Sequence, residues 1–85
     1  MNNVVVYSKD PCPYCDRAKL LLQSKGVQYD SIDIGHDDSL ATKIMQVTQQ
    51  RSVPQIFVNN SPIGGFDSLA RLNASGELDR LLNTG

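Results

Sequence analysis

Apolar and polar positions divide the chain into short blocks of two different periods. Val4, Val5, Val6 and Tyr7 are β-branched or aromatic and predict a strand over residues 3–8. Lys9-Asp10-Pro11 breaks it. From residue 13 to 25 the spacing becomes helical, with Ala18, Leu21 and Leu22 on one face and Arg17, Lys19 and Gln23 mostly off it. Gly26 fits the position just past a helix end. Residues 27–34 predict a second strand, with imperfect alternation. Asp37 or Asp38 fits the cap of a helix over residues 39–48, with Leu40, Ile44 and Val47 inward. Residues 51–54 read as a loop and Gln55 to Val58 as a short strand. Asn59-Asn60-Ser61 turns the chain into another strand at Pro62-Ile63-Gly64. A last helical region starts near Asp67 or Ser68 and divides at Ser75-Gly76 before Leu82. The order βαβα then ββα demands a right-handed parallel crossover followed by an antiparallel hairpin. An α/β fold, a mixed four-stranded sheet with helices on both faces, satisfies both.

Composition narrows the function classes. At 85 residues the chain has room for one domain, spanning residues 1–85. Eight basic and nine acidic residues leave a net charge of −1, which argues against nucleic acid as a partner. The longest apolar run is Val4 to Tyr7, so no membrane span is expected. Met1-Asn2-Asn3 does not resemble the start of a signal peptide, and a cytoplasmic location is expected, where thiols stay reduced.

The candidate chemistry lies in Cys12-Pro13-Tyr14-Cys15. A bridge closing so short a loop contributes only about 2 kcal/mol by chain entropy and ties no distant parts together. The pair is therefore redox-active, half a metal site or incidental. Tetrahedral zinc needs two further ligands, and the chain holds no third cysteine and one histidine, His36. Cys12 falls at the cap of the first helix, Pro13 at its first position and Cys15 one turn in. First-turn N–H groups and the helix dipole favour a thiolate at Cys12. Lys9 adds positive charge, partly opposed by Asp10, and a pKa of about 4–6 is expected. Cys15 is expected to be more buried and to stay a thiol. At a pKa of about 5 the gain in thiolate fraction, roughly 30-fold, is offset by a similar loss of nucleophilicity. What remains is a better leaving group. The site suits an enzyme that accepts a group on Cys12 and releases it quickly.

Four motifs in order resemble the dithiol glutaredoxins over nearly the whole chain. They are Lys9, Cys12-Pro13-Tyr14-Cys15, Ser52-Val53-Pro54 and Gly64-Gly65-Phe66-Asp67. The resemblance implies a thioredoxin-like fold, a cis proline at Pro54 and a groove for glutathione. Val53 would pair its backbone with the cysteinyl part of the tripeptide, beside Pro54, which has no N–H to pair. Lys9 with Gln50 or Arg51 would take the glycyl carboxylate. Tyr14 would flank the peptide, and the Gly64-Gly65 turn would let backbone approach closely. The helix start at Asp67-Ser68 would offer N–H groups to the γ-glutamyl carboxylate. Ser68 stands where many relatives carry Asp, Gln49 where they carry glycine and Pro11 where they often carry threonine. Tyr7 and Phe57 read as core packing.

The resemblance further implies reduction of protein disulfides and glutathionylated proteins through Cys12 and Cys15, with glutathione as co-substrate and no resident cofactor or metal. It also implies a monomer, a dithiol resting state at potentials of about −200 to −230 mV, and electron donation to reductases such as ribonucleotide reductase. Two other readings stay open. One is a redoxin served by thioredoxin reductase. The other is a dimer binding an iron–sulfur cluster with glutathione as co-ligand, which the stiff Pro13 loop and the oxidisable Cys15 oppose.

Overall fold

The computed structural model describes residues 3–50 and 52–83. In chain order it runs β1 (Val4–Ser8), α1 (Pro13–Ser24), β2 (Asp30–Asp33), α2 (Asp38–Thr48), β3 (Gln55–Val58), β4 (Ser61–Gly64), α3 (Phe66–Ser75) and α4 (Glu77–Asn83). The sheet order is β2-β1-β3-β4. β1 pairs parallel with β2 and antiparallel with β3, and β3 pairs antiparallel with β4. The mixed four-stranded sheet read from the sequence is thus present.

Alternation in the two central strands sorts the side chains. Val4 and Val6 of β1 and Ile56 and Val58 of β3 meet Ala18 and Leu22 of α1, Leu69 of α3 and Leu78 of α4 in one apolar cluster. Each of the buried Val, Leu and Ile side chains contributes roughly 1.5–3 kcal/mol. Gln55 and Phe57 alternate to the other face, where Gln55 shares a cavity with Ala41, Ile44 and Met45 of α2. Tyr7 and Phe57 lie edge to face, ring centroids 5.4 Å apart, as packing residues.

Several boundaries differ from the sequence reading, each for a local reason. The second strand covers only Asp30–Asp33 rather than residues 27–34. Gly26 ends α1 with φ +71° and donates to the Gln23 carbonyl, while Val27 N–H donates to the Leu22 carbonyl. This paired closure belongs to the helix and withholds Val27 from the sheet. Pairing then begins where β1 offers a partner, at Val5 opposite Asp30. Val47, expected inward, is 56% exposed. The buried stripe of α2 runs instead through Ile44 with Ala41, Met45 and Thr48 half-buried beside it, which leaves Val47 at its margin. α2 starts at Asp38, capped by the Asp37 carboxylate, which accepts from Leu40 N–H at 3.0 Å. At its other end Gln49 takes the left-handed conformation, φ +61°, with a Cβ that costs roughly 1 kcal/mol there. α3 starts at Phe66 rather than at Asp67 or Ser68, with Gly65 as its cap. Gly76, φ +83°, separates α3 from α4 as the Ser75-Gly76 pair suggested.

Leu69 is fully buried where α3 meets the sheet. Leu69→Ala is expected to lose about 2–5 kcal/mol of unfolding free energy. Urea unfolding followed by circular dichroism measures it, and a loss under 1 kcal/mol would mean that α3 is not anchored through this residue.

Candidate active site

The first turn of α1 is built around sulfur. Cys12 is its N-cap in extended conformation, φ −151° and ψ 97°, Pro13 follows at the first helical position, and Cys15 N–H donates to Cys12 Sγ at 3.1 Å. A cap needs an acceptor for an amide that has no partner within the helix, and the sulfur supplies one. Cys12 is partly buried and Cys15 is 1% exposed, the unequal exposure expected of an attacking and a resolving sulfur. The two are joined as a disulfide with Cα atoms 5.2 Å apart, so the structure holds the oxidised form of the pair. Cys12 Sγ also lies 3.9 Å from the carbonyl oxygen of Val53.

The Val53–Pro54 bond is cis, as the resemblance implied, and so is Asp10–Pro11, which nothing in the sequence reading anticipated. From this loop a cleft of about 380 Å³ runs to the start of α3. Tyr14, Gln50, Val53, Pro54, Gly65, Asp67 and Ser68, all singled out from sequence, line it together with Ser52 and Phe66. At the α3 end Gly65 caps without a side chain, so the first-turn amides of Phe66, Asp67 and Ser68 lack helix acceptors. Together with the helix dipole they make that end of the cleft attractive to an anion.

Lys9 does not line this cleft. It borders an adjoining cavity of about 280 Å³ between the end of β1 and α2, and Gln50 and Ser52 are walls of both. Thr48 holds Gln50 by accepting from its N–H at 3.2 Å while donating to the Ile44 carbonyl at 2.9 Å. Arg51 lies outside the described residues. His36 is exposed in its turn. Among the described residues no three His, Cys, Asp or Glu side chains converge on a metal-holding position.

Ser52 and Phe66 are the cleft residues that the sequence reading did not assign. Phe66 meets Tyr14 with ring centroids 6.1 Å apart, and the Arg17 guanidinium lies 5.2 Å from the Tyr14 ring centre. Phe66 sits at the variable place of the Gly-Gly-x-Asp turn, where no periodic signal marks it. Arg17 is one helical turn from Tyr14, a spacing that could have suggested the cation–π contact.

Comparison with known proteins follows the same lines. Residues 4–63 match the glutaredoxin family model, described as Glutaredoxin. The chain is 44% identical over 82 residues to Glutaredoxin 3 of Escherichia coli (strain K12), covering 96% of this chain and 99% of that one. It is 43% identical over 84 residues to a glutaredoxin of Neisseria meningitidis serogroup A, covering 98% and 99%. Among solved structures it resembles a buckwheat glutaredoxin–glutathione complex, with a TM-score of 0.91, 35% identity and coverage of 98% of this chain and 78% of that one. The solution structure of a glutaredoxin from Brucella melitensis gives 0.87, 38%, 98% and 90%.

The chain is crowded beside the cleft at Gly64, φ +119°, where an added Cβ would lie 2.8 Å from Ser68 Oγ. Gly64→Ala combines that clash with an unfavourable φ and is expected to cost about 1–3 kcal/mol. Thermal unfolding reads the loss. A variant as stable as the parent would show that the β4–α3 corner relaxes freely.

Proposed function

The chain belongs to the glutaredoxin family, and we propose that its thiol–disulfide oxidoreductase activity is driven by glutathione. The observation that carries this reading is the partly exposed, helix-capping Cys12 sulfur at the Val53 edge of a cleft whose far end presents unpaired helix amides. One end is built for sulfur exchange and the other for a carboxylate. A tripeptide thiol carries both groups. The buckwheat glutaredoxin, a structural neighbour, is described in complex with glutathione.

In the proposed cycle the Cys12 thiolate attacks the glutathione sulfur of a protein–glutathione mixed disulfide. The protein leaves as its thiolate and takes up a proton. A second glutathione thiolate then attacks the mixed disulfide on Cys12, forming oxidised glutathione and releasing the Cys12 thiolate. With a protein disulfide, Cys12 forms the mixed disulfide and buried Cys15 displaces the product, giving the Cys12–Cys15 bond seen here. Two glutathione molecules then reduce that bond. In the bound tripeptide, Val53 would pair main chain to main chain beside Pro54. Tyr14 would flank the peptide. The amides of Phe66, Asp67 and Ser68 would hold the γ-glutamyl carboxylate, with its ammonium towards Asp67 or Ser68. Gln50, a wall shared with the cavity that Lys9 borders, would face the glycyl end. The protein would act as a single-domain cytoplasmic monomer without a resident cofactor, serving reductases such as ribonucleotide reductase among its protein substrates.

The test is reduction of a small glutathione mixed disulfide with glutathione, glutathione reductase and NADPH. Robust turnover supports the reading. Turnover only with thioredoxin reductase would overturn it. In the same assay Cys12→Ser is expected to abolish turnover, and Cys15→Ser to keep most of it while losing much of protein-disulfide reduction. Equal loss in both variants on the mixed disulfide would rule out the route through Cys12 alone.

A second prediction concerns the γ-glutamyl end. Ser68 offers the ammonium only a neutral hydroxyl. Ser68→Asp adds a partly exposed ion pair worth roughly 0.2–1 kcal/mol, and KM for the mixed disulfide is expected to fall about 1.4- to 5-fold. The gain should shrink as salt rises. An unchanged KM at low salt would mean that the ammonium does not lie at Ser68.

A further inference from the structure

Gln55 is a polar residue in a position an apolar one could fill. It is 1% exposed, at the first position of β3 and opposite Tyr7 of β1. Its Nε2 donates to the Ser52 carbonyl oxygen at 2.7 Å. That oxygen can only accept, so the orientation of the amide is fixed: Nε2 faces Ser52. Oε1 has no partner among the described residues. The residue lines the cavity bordered by Lys9, Ile44 and Met45. Only the donor half of this buried amide therefore works within the fold, and it works on the loop that reaches Cys12.

We propose that Gln55 is a positioning residue for the reaction: by holding Ser52 it fixes where the Val53 backbone stands against the Cys12 sulfur. The span is short. Ser52 and Val53 have no helix or strand of their own, while Gln55 opens β3 and is tied to β1. The Val53 carbonyl oxygen lies 3.9 Å from Cys12 Sγ, on which the Cys15 amide also acts at 3.1 Å. In the reduced protein these neighbours oppose each other. The amide favours a thiolate, whereas the carbonyl accepts from a thiol and repels a thiolate. A bond that keeps the carbonyl near the sulfur therefore sets the balance between the two forms. It also sets the edge that a substrate backbone would meet, and this second consequence rests on the glutathione reading.

Gln55→Leu keeps the size and burial and removes the donor. Two readouts separate positioning from simple filling. The first is titration of the Cys12 thiolate by its ultraviolet absorbance in a Cys15→Ser background, which needs no glutathione. Release of the carbonyl should shift the midpoint downward. The second is the KM for the glutathione mixed disulfide, expected to rise roughly 2- to 10-fold, with kcat changed less. Gln55→Glu is the conservative control. A protonated carboxyl can still donate to Ser52 and a carboxylate cannot, so its KM should approach the parent value at acid pH and depart from it as pH rises. Lys9 is the charged group bordering the cavity among the described residues, and it favours the carboxylate.

A folded leucine variant with parental midpoint and parental KM would overturn the proposal. If that variant does not fold, the glutamate variant decides alone. A KM ratio to the parent that rises with pH supports the role, and a ratio flat with pH overturns it. If the parent itself does not use glutathione, the proposed function fails, while the thiolate titration still tests Gln55.

Discussion

Everything at the site depends on a sulfur atom serving as a helix cap. A helix start leaves amides without partners, and most proteins answer with an oxygen from Ser, Thr, Asp or Asn. Here Cys12 Sγ accepts from Cys15 N–H, so the atom that completes the helix is also the one that reacts. Folding and reactivity cannot then be tuned separately at this point. Pro13, whose missing N–H would have had no partner in any case, keeps the turn rigid while Cys12 stays partly exposed.

The remaining parts of the site are brought to that atom by the two central strands. β1 leads directly into the Cys12 turn, and β3 begins immediately after Pro54. Because β1 and β3 pair in register, Val6 opposite Ile56 and Tyr7 opposite Gln55, the loop before β3 is carried alongside the loop after β1. β4 then returns the chain to Gly65, where α3 begins. The apolar cluster beneath these strands is thus also the support of the cleft. Leu69 anchors the same helix whose first turn forms the cleft's far end.

Much of this was legible in the sequence, because strand runs, caps and turn residues act locally. The Cys12 cap followed from Pro13 and the helical spacing after it. The division at Gly76 followed from a Ser-Gly pair inside an amphipathic pattern. Most of what escaped depended on partners distant in the chain. The length of β2 is set by the reach of β1 and by the prior use of Val27 to close α1. The face of α2 could be centred on either side of Ile44, and tertiary packing chose the side away from Val47. The start of α3 was hidden because its cap, Gly65, contributes no side-chain acceptor. Gln55 was overlooked for a different reason. A polar residue at a strand end reads as solvent-facing until the neighbouring helix is seen to cover it.

The absence of a side-chain cap on α3 bears on how such a chain tolerates sequence drift. A Ser or Asp cap would occupy the first-turn amides with an internal acceptor and leave fewer for a visitor. Gly65 leaves them free, and the attraction at that end comes from main-chain atoms which every non-proline residue possesses. Substitutions at positions 66 to 68 can therefore accumulate without erasing the attraction, provided the helix itself persists. The constraint moves instead to glycine. Gly64 is held by its dihedral angle and by Ser68 packed against it. Selection at this corner would act on backbone shape first and on side-chain chemistry second, so two chains could share the same cleft while agreeing on little of the lettering around it.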